Sequence, residues 1–393
     1  MQIERTVQLV HRNAARRRSS VLGVQSSGAP STHPQLFLIM KATRLCNLRC
    51  GYCNAWKEGP NQIMPESLVD RATRDALQLQ WIRRVDFVWH GGETTLLPVE
   101  YFRRAIGVQK ECQGNRLVTN TIQTNATLLD DEWIALFKEG NFNVGVSIDP
   151  PPERHARNRR TKSGRDSWQA SMSGIRLLKE AGISHGILVV VNDELVSYGA
   201  ERFLACLDEN NLHAVSLLNV LPDNREPTRD ASNYLGWESF VQFLIAVYRI
   251  RASSYRHIRI REFESLTGSI SRGAPTNCVF AGNCMGQFLT LEPSGEVSAC
   301  DKYINDSAYV FGNLAISSLT EILSGPALSA VRADYSRQVV QLADCQYYGY
   351  CNGGCPHDQY LRRKVDPQLS LRCCGLAPLI ETICQDLHDH SET

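Results

Sequence analysis

The sequence has almost no charge excess. Its 42 lysines and arginines face 41 aspartates and glutamates, a formal charge of +1 over 393 residues. No global field therefore draws it to nucleic acid or to an anionic membrane surface, and neither is expected as a partner. Long apolar runs are also missing, since none approaches the roughly eighteen consecutive apolar residues of a membrane span. The N-terminus lacks the apolar stretch of a secretory signal. These absences together predict a cytoplasmic protein. Cysteine, by contrast, is plentiful at 14 residues. That number would mean disulfides in a secreted chain. Without a signal peptide, metal or iron–sulfur binding is the better default.

Residues 1–34 stand apart. "HRNAARRRSS" followed by "SSGAPSTHP" is rich in Arg and Ser, nearly free of acids and without apolar period. A transit peptide has this composition, but we read the segment as a flexible basic tail. From residue 35, short apolar strands alternate with amphipathic helices. "QLFLIMK", "RVDFVW", "LVTNTIQT", "NVGVSI", "HGILVVV" and "AVSLLNV" are the strands, each followed by a helical pattern, and Gly140 and Gly182 are expected to end two of those helices. Regular strand–helix alternation predicts a parallel sheet with helices outside. Six such units over residues 35–258 predict an α/β fold, a partial (β/α)6 TIM-like barrel, with its chemistry at the C-terminal ends of the strands. An open doubly wound sheet has the same pattern. The alternation stops near residue 260, so residues 259–393 form a separate cysteine-rich extension.

"CNLRCGYC" places Cys46, Cys50 and Cys53 in the loop after the first strand. Three thiolates on one short loop can hold three irons of a 4Fe-4S cube and leave the fourth open to an external ligand. A zinc site would want a second cysteine pair, histidine or carboxylate nearby. With Tyr52 before its third cysteine, the segment resembles the signature of the radical S-adenosylmethionine (SAM) superfamily. That resemblance implies an enzyme in which SAM chelates the open iron and is reductively cleaved to a 5′-deoxyadenosyl radical that takes hydrogen from a substrate. It also implies an external electron donor such as flavodoxin or ferredoxin.

Further segments resemble SAM-contacting positions of the same family. "HGGE" follows the second strand, where Gly91 and Gly92 would bare the backbone to the SAM amino group and Glu93 would bind its charge. Gln123 and Asn125 of "QTN" and Ser147 of "SID" end the next two strands. In "HARNRR", Arg159 or Arg160 would hold a carboxylate. Each also has a plainer reading as strand-end capping or an exposed basic loop.

The C-terminal cysteines resemble the SPASM extension, which carries two auxiliary iron–sulfur clusters in peptide- and protein-modifying members of the superfamily. Carried over, Cys278, Cys284, Cys300 and Cys355 hold the first auxiliary cluster. The second takes Cys345, Cys351 and Cys374, with Cys373 as an alternative to Cys374. Its fourth ligand is missing because Leu342 stands where the family has a cysteine. Asp344, Cys373, a substrate atom or nothing could fill that position. Cys112, Cys206 and Cys384 fit neither pattern and read as structural thiols. Asp301, directly after Cys300, matches the general base of the anaerobic sulfatase-maturating enzymes, although a solvent-facing turn aspartate is an equal reading.

The expected function is therefore a radical SAM/SPASM maturase of a peptide or protein substrate. Crosslinking of a ribosomal precursor peptide through a C–C or C–S bond is the first reading. Formation of formylglycine from Ser or Cys by a sulfatase-maturating enzyme is the second, against which stand "SIDPPP" and "GGET" in place of the usual Gly after the aspartate and the usual "GGEP". The 34 residues before the first strand are too few for a leader-binding domain. A non-enzymatic iron–sulfur electron carrier is the alternative from another class, and it has no use for a SAM pocket.

Overall fold

The computed structural model describes residues 34–224, 234–273, 276–282, 284–369 and 371–389. Residues 1–33 of the expected basic tail lie outside the described residues. Among the described residues, no helix is long and apolar enough to cross a membrane.

All six expected strands form, in chain order β1 (Gln35–Thr43), β3 (Arg84–Gly91), β4 (Leu117–Thr124), β5 (Phe142–Ser147), β7 (His185–Val191) and β8 (Ala214–Asn219). Two short pieces, β2 (Leu48–Cys50) and β6 (Arg159–Thr161), pair with each other outside the main sheet. Neighbouring long strands are parallel and follow one another in sequence order. A doubly wound sheet would reverse that order at a switch point. The monotonic order identifies a partial barrel, with the loops that follow the strands gathered at one end.

The helices form because their apolar positions recur on one face. In Trp168–Glu180, Trp168, Met172, Ile175 and Leu178 are buried together with the small Ser171 and Gly174, while Gln169, Ala170, Ser173 and Arg176 face outward. Gly182 adopts φ +70°, the left-handed conformation that ends this helix. Gly140 also ends its helix, as the capping residue, but at φ −94°, and Asn141 at φ +48° makes the left-handed turn in its place. Glycine is still needed at 140, because a Cβ there would come within 2.6 Å of the Phe142 ring.

The extension does not form its own sheet. β9 (Arg259–Ile260) pairs with β8, and β10 (Phe288–Leu291) pairs in parallel with β1 on the other side of the barrel. β11 (Glu296–Ser298) and β12 (Val310–Asn313) continue outward as antiparallel strands, giving one ten-stranded sheet. Phe37 and Phe288 stack across the β1–β10 seam with ring centroids 4.1 Å apart. One continuous apolar core runs from Leu36 to Ile383. Asp301, in the extension, thereby meets Lys41 of β1 and His90 of β3.

Candidate active site

The first thiol group is shaped by its own backbone. The Leu48 N–H donates to Cys46 Sγ at 3.3 Å and the Ala55 N–H donates to Cys53 Sγ at 3.4 Å. β2 pairs antiparallel with β6, and this register puts Cys50 opposite Arg159. The three thiols interact with one another, and burial pushes Cys46 up to about 11 and Cys50 up to about 12. Thiols that converge, accept backbone N–H bonds and resist ionising unaided suit a polycationic guest. These residues fit an iron–sulfur cluster.

Behind them lies a buried charge group that the sequence showed only in fragments. The Asp149 carboxylate is fully buried and receives Tyr52 Oη at 2.5 Å, Arg159 Nε at 2.9 Å and Arg154 Nη1 at 3.5 Å. Burial would raise this carboxyl, but Arg159 and Arg154 outweigh it and hold Asp149 below its ordinary value. Arg159 was expected to hold a carboxylate, and the carboxylate it holds is this internal one. Its guanidinium lies 5.6 Å from the Tyr52 ring centroid and 4.0 Å from Cys50 Sγ, so it links the barrel wall to the thiol loop. Arg160 is exposed and donates to the Ala156 carbonyl.

The glycines of "HGGE" serve a closer approach than expected. A Cβ on Gly91 would lie 2.0 Å from the Thr43 carbonyl oxygen, and one on Gly92 would lie 2.0 Å from that of Leu45. Their loop therefore packs directly on the chain leading into Cys46. The Gly92 and Glu93 N–H groups donate to those same carbonyls at 2.7 and 2.8 Å. Glu93 is buried, with Oε1 accepting from the Thr95 N–H, Thr95 Oγ1 and Thr124 Oγ1, and Oε2 from the Asn125 N–H. It clamps the end of β3 to the end of β4, and Oε2 keeps acceptor capacity for a further donor.

Gln123 and Ser147 meet on adjacent strands, with Gln123 Nε2 donating to Ser147 Oγ at 2.7 Å. Asn125 Nδ2 donates to Asn47 Oδ1 at 2.9 Å, and Asn47 Nδ2 donates to Thr127 Oγ1 at 2.8 Å. Asn47, the residue after Cys46, ties the thiol loop to the end of β4, and no sequence motif pointed to it.

The later cysteines fall into two groups. Cys284 interacts with Cys355 and Cys278, Cys300 with Cys284 and Cys355, and Cys355 with Cys278. Beside them, Lys302 Nζ lies 3.6 Å from Cys355 Sγ and donates to Asp358 Oδ1 at 2.7 Å, a half-buried cation next to a set of potential thiolates. The second group contains Cys345, Cys351 and Cys374, with Cys351 and Cys374 sulfurs 3.5 Å apart. Cys112, Cys206 and Cys384 lie outside both.

Asp301 sits where the two halves meet. Lys41 Nζ, on β1, donates to Asp301 Oδ2 at 3.1 Å and to His90 Nδ1, at the end of β3, at 2.8 Å. Burial pushes His90 down to about 4, so it is neutral at physiological pH and accepts from the lysine. Burial would raise Asp301, but the charge and hydrogen bond of Lys41, with Lys302 behind it, reverse this and hold it well below the carboxylate range. A cavity of about 380 Å³ opens beside this trio, with Lys41, Arg44, Thr290, Glu292, Asp301 and Tyr303 in its wall. Arg44 reaches Glu292 at 3.4 Å across it. Neither Lys41 nor His90 had been given a role from the sequence; a buried lysine inside an apolar strand was the available signal.

Comparison with known proteins agrees with this geometry. Residues 40–197 match the radical SAM superfamily, and residues 278–356 match SPASM, an iron–sulfur cluster-binding domain. A serine-type anaerobic sulfatase-maturating enzyme of Bacteroides thetaiotaomicron is 29% identical over 383 residues, covering 88% of this chain and 89% of its own. A cysteine-type anaerobic sulfatase-maturating enzyme of Clostridium novyi is 28% identical over 343 residues, covering 84% and 88%. Among solved structures, native anSMEcpe with bound AdoMet and the Kp18Cys peptide superposes with a TM-score of 0.77 at 24% identity, covering 90% of this chain and 96% of that one. At that identity the likeness is one of fold.

Proposed function

Because the chain is a radical SAM enzyme with a SPASM extension, carrying iron–sulfur clusters and SAM and modifying a peptide or protein, we propose that it oxidises a serine or cysteine side chain of a sulfatase-type protein to formylglycine. The observation that carries this reading is Asp301, ionised and fixed in the cavity wall beside Cys300. Relatives named sulfatase-maturating enzymes, aligned over most of both chains, support it. They favour this second reading of the sequence over precursor-peptide crosslinking, even with "GGET" and "SIDPPP" in place.

In this reading Cys46, Cys50 and Cys53 hold the SAM-binding cluster, with Tyr52, Gly91, Gly92, Glu93, Gln123, Asn125, Ser147 and Arg159 shaping the surrounding pocket. When bound, the cluster and SAM supply a carbon-centred radical that removes a hydrogen atom from the substrate's Cβ. Asp301 accepts the proton of the hydroxyl or thiol on that same carbon. Lys41 holds the carboxylate in place before and after the proton arrives, and neutral His90 anchors Lys41 without competing for the proton. For serine, loss of one hydrogen atom, one proton and one electron gives the aldehyde directly; for cysteine the same loss gives a thioaldehyde, which water hydrolyses to the aldehyde with release of hydrogen sulfide. Cys278, Cys284, Cys300 and Cys355 would hold an acceptor for the electron, and a flavodoxin or ferredoxin would recharge the first cluster.

The test is anaerobic reconstitution followed by SAM, dithionite and synthetic sulfatase-type peptides bearing Ser or Cys. The expected product is an aldehyde captured by a hydrazide reagent and located by tandem mass spectrometry. A peptide that loses hydrogen but gains a crosslink and no aldehyde would overturn the assignment.

A further inference from the structure

Leu342 offers no ligand atom to a metal. Leu342 is buried in a small apolar group with Val339, Tyr348 and Leu371, and Asp344 beside it is exposed. The chain compensates from elsewhere in the sequence. Cys373 makes side-chain contact with Cys345 and Cys374, while Cys374 contacts Cys351. The four sulfurs thus form a continuous group drawn from the loop before helix Tyr348–Cys351, the end of that helix, and the turn preceding helix Ala377–Asp389.

Cys373 is furnished as a thiolate would be. Its sulfur accepts the Gly375 N–H at 3.3 Å and a second backbone bond from Ala377. Cys345 and Cys351 receive backbone bonds of the same kind from Tyr347 and Gly353. Backbone N–H bonds to sulfur are a usual feature of iron–sulfur sites and help set their potential. Glycine makes this possible at two points. A Cβ on Gly354 would lie 3.1 Å from that of Cys374, and Gly375 at φ +86° turns the chain sharply after the pair. Arg362, donating to the Cys374 carbonyl at 3.0 Å, supplies positive charge nearby.

The spacing argues against a single metal ion. Tetrahedral zinc–thiolate bonds of about 2.3 Å put all four sulfurs about 3.8 Å apart. Among the described residues, no three of these cysteines have sulfurs within 4.8 Å of one another. They touch in sequence, Cys345 to Cys373 to Cys374 to Cys351, and are not gathered about one point as a single ion needs.

We propose that both members of the vicinal pair, Cys373 and Cys374, are ligands, and that with Cys345 and Cys351 they close a fully thiolate-ligated second auxiliary iron–sulfur cluster in which Cys373 replaces the cysteine absent at 342. Such a cluster has no open iron for a substrate atom. The proposal is independent of which side chain the enzyme oxidises, because iron content is read without turnover.

The experiment compares wild-type protein with Cys373→Ser, Cys374→Ser and the control Cys384→Ser after anaerobic reconstitution. Iron and sulfide are counted, and Mössbauer and EPR spectra recorded. Wild type and Cys384→Ser should hold about twelve irons, three cubes. Cys373→Ser and Cys374→Ser should each fall toward about eight, or lose a single iron and show a three-iron EPR signal, with the other two clusters intact. Three results would overturn the proposal: Cys373→Ser indistinguishable from wild type, wild type holding only about eight irons, or zinc in place of iron. A Leu342→Cys, Cys373→Ser double variant guards against misfolding, since it returns a thiol to the position the family uses. Its recovery of iron would show that the single variant lost a ligand and not its fold.

Discussion

Lys41 and Asp301 are 260 positions apart in the chain and 3.1 Å apart in the fold, and much of the proposed chemistry depends on that pair. Asp301 stays ionised because Lys41, with Lys302, outweighs the effect of burial, so the wild-type rate should not fall on acidification until below the usual carboxylate range. In Lys41→Met the burial effect is opposed far less, and the acid limb of the pH–kcat profile should move upward into the measurable range. His90, held at about 4, should contribute no limb near its ordinary value of 6.5. A step near neutrality that disappears in His90→Gln would contradict this arrangement. Asp149 presents the complementary case, a carboxylate whose role is internal. Asp149→Asn strips the fully buried Arg154 and Arg159 of their counter-charge and should cost about 3–5 kcal/mol, read as a lowered midpoint in denaturant. Neither pairing could be read from the sequence, because Lys41 lies in an apolar strand and its partners come from remote segments. Asp149 was visible in "SID" and Arg159 in "HARNRR", but their pairing was not, and Arg154 carried no signal.

At the scale of elements, strand and helix periodicity made the barrel legible. The six long strands carry an apolar period that needs no tertiary information. The strands of the extension are two to four residues long, too short for any period to register, so β9 to β12 and their continuity with β1 and β8 were not foreseen. Turn chemistry was partly misleading, as at Gly140, where glycine is required for a close contact with Phe142 and Asn141 makes the left-handed turn. Loop-on-loop packing was likewise hidden, and it can be tested at Gly92. Gly92→Ala would press a methyl group into the Leu45 carbonyl and displace the Cys46 loop. The expected result is loss of about four irons, those of the first cluster. Gly51→Ala, in the cysteine motif itself but with nothing within 4 Å of its Cβ, should retain them.

At the scale of the whole molecule, the ten-stranded sheet brings three sets of thiols into one body. The grouping of cysteines was legible only by resemblance to a family, since spacing alone assigns Cys355 to its sequence neighbours and gives no place to Cys373. The two later sets join segments of the extension that are remote in sequence, so loading them should stabilise the extension more than the barrel, as ligands that bind only the folded state do. Hydrogen exchange should slow on reconstitution across 276–300 and 345–389, with little change in β7 and β8. The central claim, that Asp301 is the base in a radical oxidation of a protein side chain, is tested most directly by one comparison. Wild type and Asp301→Asn are given SAM, dithionite and substrate peptide, and 5′-deoxyadenosine and peptide aldehyde are both quantified. The account predicts that Asp301→Asn still cleaves SAM but forms no aldehyde. Aldehyde formed at the wild-type rate would contradict it.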